Sequence, residues 1–425
     1  MTQKEKNGNL IAIITMCFMF AMISFVTNMA APFGSIWGNT YSWAGMMGNM
    51  MNFAAYLFMG IPAGKMLVKY GYKKTALVAL GVGIIGLFVQ YLSSLFGADI
   101  ATFTYNGQVI ALNLIIYLLG AFICGFCVCM LNTVVNPMLN MLGGGGNKGN
   151  QLIQIGGTLN SLTGTLTPLL VGVLIGQVTA NTSMTDVSPL LFIGMGVFAI
   201  SFFIIMAVTI PEPQSNTSGE KFEHSPLAFR HTLLGIIAIF FYVGIEIGIP
   251  AQLNFYITGL GFEGSAAIGG TLAASYWFLM LIGRASSSVI SGKIATSTQM
   301  AFVSITAIVL LLTTIFMPAD IVVSFRGHDI PVKCFFIAMC GLCTSIMWGG
   351  IFNLAVEGLG KYTAAASGLF MMMVVGGGIM PLIQDFIAKA TDPITSYWVI
   401  IAMLAYILYY SKIGCKNVNK DIKVD

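Results

Sequence analysis

Residues 61–74 read IPAGKMLVKYGYKK, with Lys65, Lys69, Lys73 and Lys74 crowded into a short turn between two apolar stretches, 42–67 and 75–97. A helix needs about 20 apolar residues to cross a bilayer, and each flanking stretch is long enough. Two crossings joined by a basic turn place those lysines in water on one face of a membrane. The rest of the chain extends that reading.

Of 425 residues, 57% are hydrophobic and only 8% are charged, with a mean hydropathy of +0.88. A soluble domain carries roughly 25% charged residues, so lipid has to be the main solvent here. Twelve apolar stretches are long enough to span, at approximately 9–37, 42–67, 75–97, 109–142, 151–178, 189–210, 232–258, 265–291, 299–318, 333–357, 363–388 and 394–411. The first has the Lys4/Lys6 flank of a signal peptide but is too long and is followed by no A-x-A-like site, so it reads as the first span. The expected fold is an all-α integral membrane protein with 12 transmembrane helices in two six-helix halves.

Charge orients it. With both termini cytoplasmic, sixteen of the 19 Lys and Arg residues lie on the cytoplasmic side, leaving Arg326, Lys333 and Lys389 on the other. Positive charge retained inside fixes orientation, and the expected location is the cell inner membrane, multi-pass. The net charge of +4 therefore reflects topology and implies no nucleic-acid partner. Cys124, Cys127 and Cys129 sit mid-span with no histidine nearby and read as small hydrophobes. No metal, no cofactor and no Ser–His constellation is expected, so the chain does not read as an enzyme.

The longest polar stretch, PEPQSNTSGEKFEHSPLAFR at 211–230, reads as a central cytoplasmic loop between halves 1–210 and 231–425. IPAGK (61–65) and ISGK (290–293) close the second and eighth spans in equivalent places, Gly64 and Gly292 lying 228 apart. The run GGGGNKGN (143–150) lacks both a preceding strand and a G-K-[ST] ending, so it is a loop and no phosphate cradle.

PAGKMLVKYGYKK (62–74) resembles the signature loop of the major facilitator superfamily, in the form found in fucose permease-like sugar transporters. Gly64, Lys69, Gly71, Lys73 and Lys74 fit it, while Val68 stands where the general pattern has Asp. LNTVVNP (131–137), YVGIEIGI (242–249) and the stretch 351–384 are similar to the same group. The resemblance implies alternating access, a central cavity lined by the first, fourth, seventh and tenth spans, and a gating role for the lysine loop. It also implies proton coupling through one acid in the first span and one in the fourth. Those positions hold Asn28 and Asn132 here. An amide exchanges hydrogen bonds but no proton near neutral pH, so sugar contact would survive and titration would not.

No Asp or Glu lies inside the first six spans; Glu246 lies mid-way along the seventh. A mid-membrane charge costs on the order of 3 kcal/mol even on a lenient scale, which makes Glu246 the expected coupling residue. Arg284 is read at the cytoplasmic end of the eighth span, leaving no base at mid-span and Glu246 without a cation. Asp385 and Glu357 lie near the ends of their spans and read as structural. Without a buried guanidinium an anionic substrate is disfavoured, and a small neutral sugar fits. The expected sugar contacts are Asn28, Asn132, Asn136, Asn160, Gln252, Asn254 and Asn353, with Trp277 and Trp348 as ring-stacking faces. The coupling ion is left open between H+ and Na+. The alternatives are a uniporter or sodium-coupled symporter lacking the family's proton acids, or a drug efflux transporter. A monomer in the lipid bilayer is expected.

Overall fold

The computed structural model describes residues 3–41, 43–45, 47–175, 182–212, 223–419 and 421–424. Lys221, Lys420 and residues 213–222 of the central loop lie outside them. Fourteen α-helices account for the twelve spans. The first span is α1 (Gln3–Asn28) and α2 (Ala30–Thr40); the second and third are α3 (Met47–Leu95), broken at Gly71. A hairpin, β1 (Ala101–Tyr105) and β2 (Gln108–Ala111), precedes α4 (Leu112–Leu142), α5 (Gly146–Ile175) and α6 (Ser188–Ala207). Then come α7 (Arg230–Thr258), α8 (Ser265–Ile290), α9 (Thr296–Phe316) and a second hairpin, β3 (Val322–Phe325) and β4 (His328–Pro331). The tenth span is α10 (Lys333–Thr344) and α11 (Met347–Ala355); the eleventh is α12 (Thr363–Met372) and α13 (Gly376–Ala390); the last is α14 (Tyr397–Tyr409).

Nine continuous helical stretches among the described residues meet the length and apolarity of a membrane crossing. One of them, α3, holds two spans either side of Gly71. With α5 at 30 residues and α8 at 26, each long enough at 1.5 Å per residue, the twelve expected spans are all present.

The breaks have local causes. The first span turns at Met29, three residues before Pro32, which lacks the N–H that would bond the Asn28 carbonyl. Pro250 likewise withholds a backbone donor from the Glu246 carbonyl within α7. The tenth span breaks at Ser345–Ile346 with no proline. The carbonyls exposed there are taken up by side chains: Arg284 Nε donates to Ser345 O at 3.2 Å and Gln154 Nε2 to Ile346 O at 3.0 Å. Irregular backbone at membrane depth requires such partners.

The chain forms two compact units. One comprises Met1–Leu139, Leu162–Lys221 and Ser367–Met372; the other comprises Asn140–Ser161, Phe222–Ala366 and Met373–Asp425. In the first, small residues allow close helix approach: a Cβ on Gly60 would come within 2.5 Å of Met372 N, and one on Gly368 within 2.7 Å of Gly64 Cα. In the second, α7 packs on α8, α10, α11, α13 and α14.

The two hairpins are copies of one another. ADIATFTYNGQVIA (98–111) and ADIVVSFRGHDIP (319–331) share their opening and turn on Asn106–Gly107 and Arg326–Gly327, all four at positive φ. Such a turn matches the twist of the flanking strands. The pairs Phe103↔Ile110, Thr104↔Val109 and Tyr105↔Gln108 correspond to Val323↔Ile330, Ser324↔Asp329 and Phe325↔His328. The extra residue of the first copy is taken up by an irregularity between Ala101 and Phe103, where one bulged residue leaves the pairing beyond it in step.

Candidate functional site

In the first unit, α4 brings the amides together one helical turn apart. Asn132 Nδ2 donates to Tyr56 Oη at 2.9 Å, and Asn136 Nδ2 donates to the Asn132 carbonyl at 2.8 Å. Both are buried. Asn28, the last residue of α1, donates to Ser24 O at 2.8 Å and lies beside Gly164, where a Cβ would sit 3.1 Å from its Nδ2. Nearby, Thr27, Asn52, Gln90 and Tyr117 line a cavity of about 10 Å³, room for one water and not for a sugar.

The lysine loop is fastened by groups of its own unit. Gly71 takes φ +80°, a left-handed conformation that favours glycine, and turns the chain so that the next two backbone N–H groups point at one carboxylate. Tyr72 N donates to Glu212 Oε2 at 2.7 Å and Lys73 N to Oε1 at 2.9 Å. Lys73 Nζ donates to the carbonyls of Met206 and Val208 at 2.9 and 2.8 Å, the end of α6 where a helix favours positive charge. Gly64 is buried against Gly368. Lys69 and Lys74 are exposed, Lys69 Nζ lying 5.1 Å from the Tyr70 ring.

The second unit holds the polar cluster at membrane depth. Glu246 Oε1 accepts from Tyr242 Oη at 2.9 Å and from Arg284 Nη2 at 3.2 Å. The two charged side chains are 14% and 11% exposed. Arg284 also donates through Nη1 to Ser161 Oγ at 2.8 Å and to Gly157 O at 3.4 Å. Its guanidinium is thus pinned by α5, α7 and the break between α10 and α11. The Trp348 ring stands edge-on to Tyr242 with centroids 6.3 Å apart.

This corrects the expectation of a mid-span without bases and a Glu246 without a cation. Arg284 lies inside α8, is buried and faces Glu246. The pair is 38 residues apart in sequence, so the helix rotations that align them leave no local trace. The usable signal was a lone acid and a lone base in consecutive apolar spans, since buried charges pair.

Other expected sugar contacts fall elsewhere. Asn160 is half-buried, next to Ser161 on α5. Gln252 is buried in α7, and Asn254 Oδ1 accepts from Thr258 at 3.4 Å. Trp277 is 40% exposed against Tyr276. Asn353 is taken up by its neighbours, accepting from Asn140 at 2.6 Å and donating to Thr296 at 3.2 Å. Asp385 pairs with Lys389 at 2.6 Å.

Comparison with known proteins bears on this arrangement. A sequence model described as Major Facilitator Superfamily matches residues 11–407. The chain is 29% identical over 427 residues to the glucose/galactose transporter of Brucella abortus biovar 1 (strain 9-941), covering 98% of this chain and 96% of that one. It is 23% identical to the L-fucose-proton symporter of Escherichia coli (strain K12), covering 92% of this chain and 89% of the other. In fold it is similar to a crystal structure of the E. coli fucose:proton symporter, with a TM-score of 0.81 at 19% identity over 96% of this chain and 100% of that one.

Proposed function

The chain belongs to the Major Facilitator Superfamily, and on that premise we propose that it is a secondary active transporter of a neutral monosaccharide, of the glucose, galactose or fucose kind. It works by alternating access in the inner membrane, with both termini cytoplasmic, as a monomer of two six-helix halves, 1–210 and 231–425, joined by the loop 211–230. The named sugar transporters among its relatives point to the substrate class. The repeated hairpins support the two-half plan.

The observation that carries the substrate reading is the pairing of Arg284 with Glu246. A free buried guanidinium would select a carboxylate or phosphate. Here the guanidinium is already matched, and what stands beside the pair is neutral, the hydroxyls of Ser161 and Tyr242 and the Trp348 ring, surface that suits a polyol better than an anion. Asn28, Asn132, Asn136, Asn160, Gln252, Asn254 and Asn353 are the proposed hydrogen-bonding contacts, with Trp277 and Trp348 as stacking faces. Gly64, Lys69, Gly71, Lys73 and Lys74 form the gating loop, held by Glu212. Glu246 couples sugar to H+ or Na+: its Oε1 is occupied by Tyr242 and Arg284, leaving Oε2 for the ion.

Labelled-sugar uptake in proteoliposomes with imposed pH or sodium gradients is the test. Uptake is expected to follow one gradient, and Glu246→Gln is expected to abolish that dependence while retaining sugar counterflow. Uptake indifferent to both gradients would favour the uniporter, a reading for which the ion pair is also an argument. Thermal stabilisation by lipophilic amines and by no sugar would overturn sugar transport altogether.

A further inference from the structure

Arg284 is shared between two helices in a way that the coupling reading leaves unused. Its Nη2 holds Glu246 on α7, while its Nη1 is drawn to α5 by Ser161 Oγ at 2.8 Å and Gly157 O at 3.4 Å. Nε is fixed separately on Ser345 O. The fork therefore grips only one oxygen of the carboxylate. A guanidinium free to turn would take both oxygens in the stronger two-point geometry.

We infer that Ser161 is a positioning residue for cation coupling: by holding Nη1 of Arg284 on α5, it keeps Oε2 of Glu246 open to a proton. This rests on Glu246 being the coupling residue. A proton from the outer solution bonds to Oε2 while Arg284 is held by α5. Movement of α5 withdraws Ser161, and Nη1 swings to Oε2. The O–H bond then breaks and the proton leaves to water on the opposite side. Asn160, the neighbouring residue on α5, places a proposed sugar contact on the same element, so sugar and proton act on one helix.

The surroundings limit what else could titrate there. Among the described residues, Tyr242 and the α8 residues Arg284 and Tyr276 are the titratable groups brought to Glu246, and the Tyr276 hydroxyl is bonded to Thr344. On α10 the candidates are buried thiols and Lys333 at its start; α11 carries none. On α13, Asp385 and Lys389 satisfy each other, and on α14 Tyr397 donates to the Ile249 carbonyl.

The experiment compares wild type, Ser161→Ala, Ser161→Thr and Glu246→Gln in proteoliposomes. It records proton-driven uptake against pH alongside sugar counterflow, which needs no net proton movement. Ser161→Ala leaves Nη1 only the longer contact to Gly157 O and lets it turn toward the ionised carboxylate, so the pH midpoint of uptake is expected to move acidward by about one unit, a tenfold change in proton activity. Ser161→Thr keeps the hydroxyl and is expected to restore the midpoint. A merely structural defect would lower uptake and counterflow together without moving the midpoint, and that result overturns the inference. So does an unchanged midpoint in Ser161→Ala when Glu246→Gln has lost its pH dependence. If Glu246→Gln keeps the wild-type pH dependence, the coupling reading itself falls, and the inference with it.

Discussion

Removing one member of the Glu246–Arg284 pair should cost more than removing both. Unit charges 3.2 Å apart attract by about 5 kcal/mol at an effective dielectric of about 20. Burying the ions costs several kcal/mol each, so the pair adds little net stability, yet stranding one partner is expected to cost about 3–5 kcal/mol. The two single variants are not equivalent. Glu246→Gln strands a guanidinium that cannot lose its proton. Its other anchors, Ser345 O, Gly157 O and Ser161 Oγ, supply dipoles and no counter-charge. Arg284→Met strands a carboxylate, which can escape its penalty by taking up a proton, so it should be the milder of the two single variants. The double variant Glu246→Gln/Arg284→Met removes both charges and should recover most of the loss, giving a coupling energy of at least about 2 kcal/mol. A double-mutant cycle on unfolding of the purified protein in detergent measures it. Single effects that add to within about 0.5 kcal/mol, the behaviour of independent sites, would refute the pairing.

Three further outcomes follow from local geometry. Asn132→Asp puts a carboxylate 2.9 Å from the Tyr56 hydroxyl, where the resemblance expects an acid; uptake should gain an additional pH-dependent limb, and an unchanged profile counts against an acid having been lost there. Gly71→Ala forces a side chain into φ +80° and a Cβ to within 2.5 Å of Glu212 Oε2, so it should destabilise by about 1–3 kcal/mol and slow transport, whereas the exposed Lys74→Ala should leave stability unchanged. In the loop before α14, burial raises the Asp392 carboxyl, but hydrogen bonds from Thr395 and Ile394 outweigh it and hold the group below its ordinary value. Its stabilisation is present above the unfolded value of about 3.9 and is lost as pH falls through the lower folded value; Asp392→Asn should therefore be less stable than wild type at pH 6 and indistinguishable from it once the wild-type Asp392 carboxyl is protonated.

Span positions and the lysine loop were legible because both depend on composition along the chain. Apolar length fixes a crossing, and a glycine inside a lysine-rich turn marks where the chain reverses, as Gly71 does at φ +80°. Contacts set by helix rotation were hidden. Glu246 and Arg284 meet only because α7 and α8 turn those faces together, and Glu212, read as part of a loop, supplies the acid that fastens the lysine loop. Asn353 is bonded to Asn140 and Thr296, partners 213 and 57 residues away that an amide in a span does not announce in the sequence. The hairpins were the missed legible feature: the shared ADI and the Asn-Gly and Arg-Gly turns mark a repeat that the Gly64–Gly292 spacing expressed only weakly.

The amides at Asn28 and Asn132 and the base beside Glu246 change the electrical cycle together. In a carrier whose coupling residue is an unpaired acid, the proton-loaded form is neutral and the empty form carries the negative charge. With Glu246 as the proposed coupling residue, the empty form here is neutral, because Glu246 is matched by Arg284. Protonation leaves the guanidinium as an uncompensated positive charge, so the loaded form bears the charge across. A membrane potential acts on a moving charge by about 2.3 kcal/mol per 100 mV. An inside-negative potential should therefore accelerate the sugar-carrying step directly and leave the return of the empty carrier almost untouched, which is the reverse of the acid-only case. Asn28 and Asn132 fit that cycle: an acid at either place would cancel the charge of the loaded form and remove the pull of the potential on the step that carries sugar.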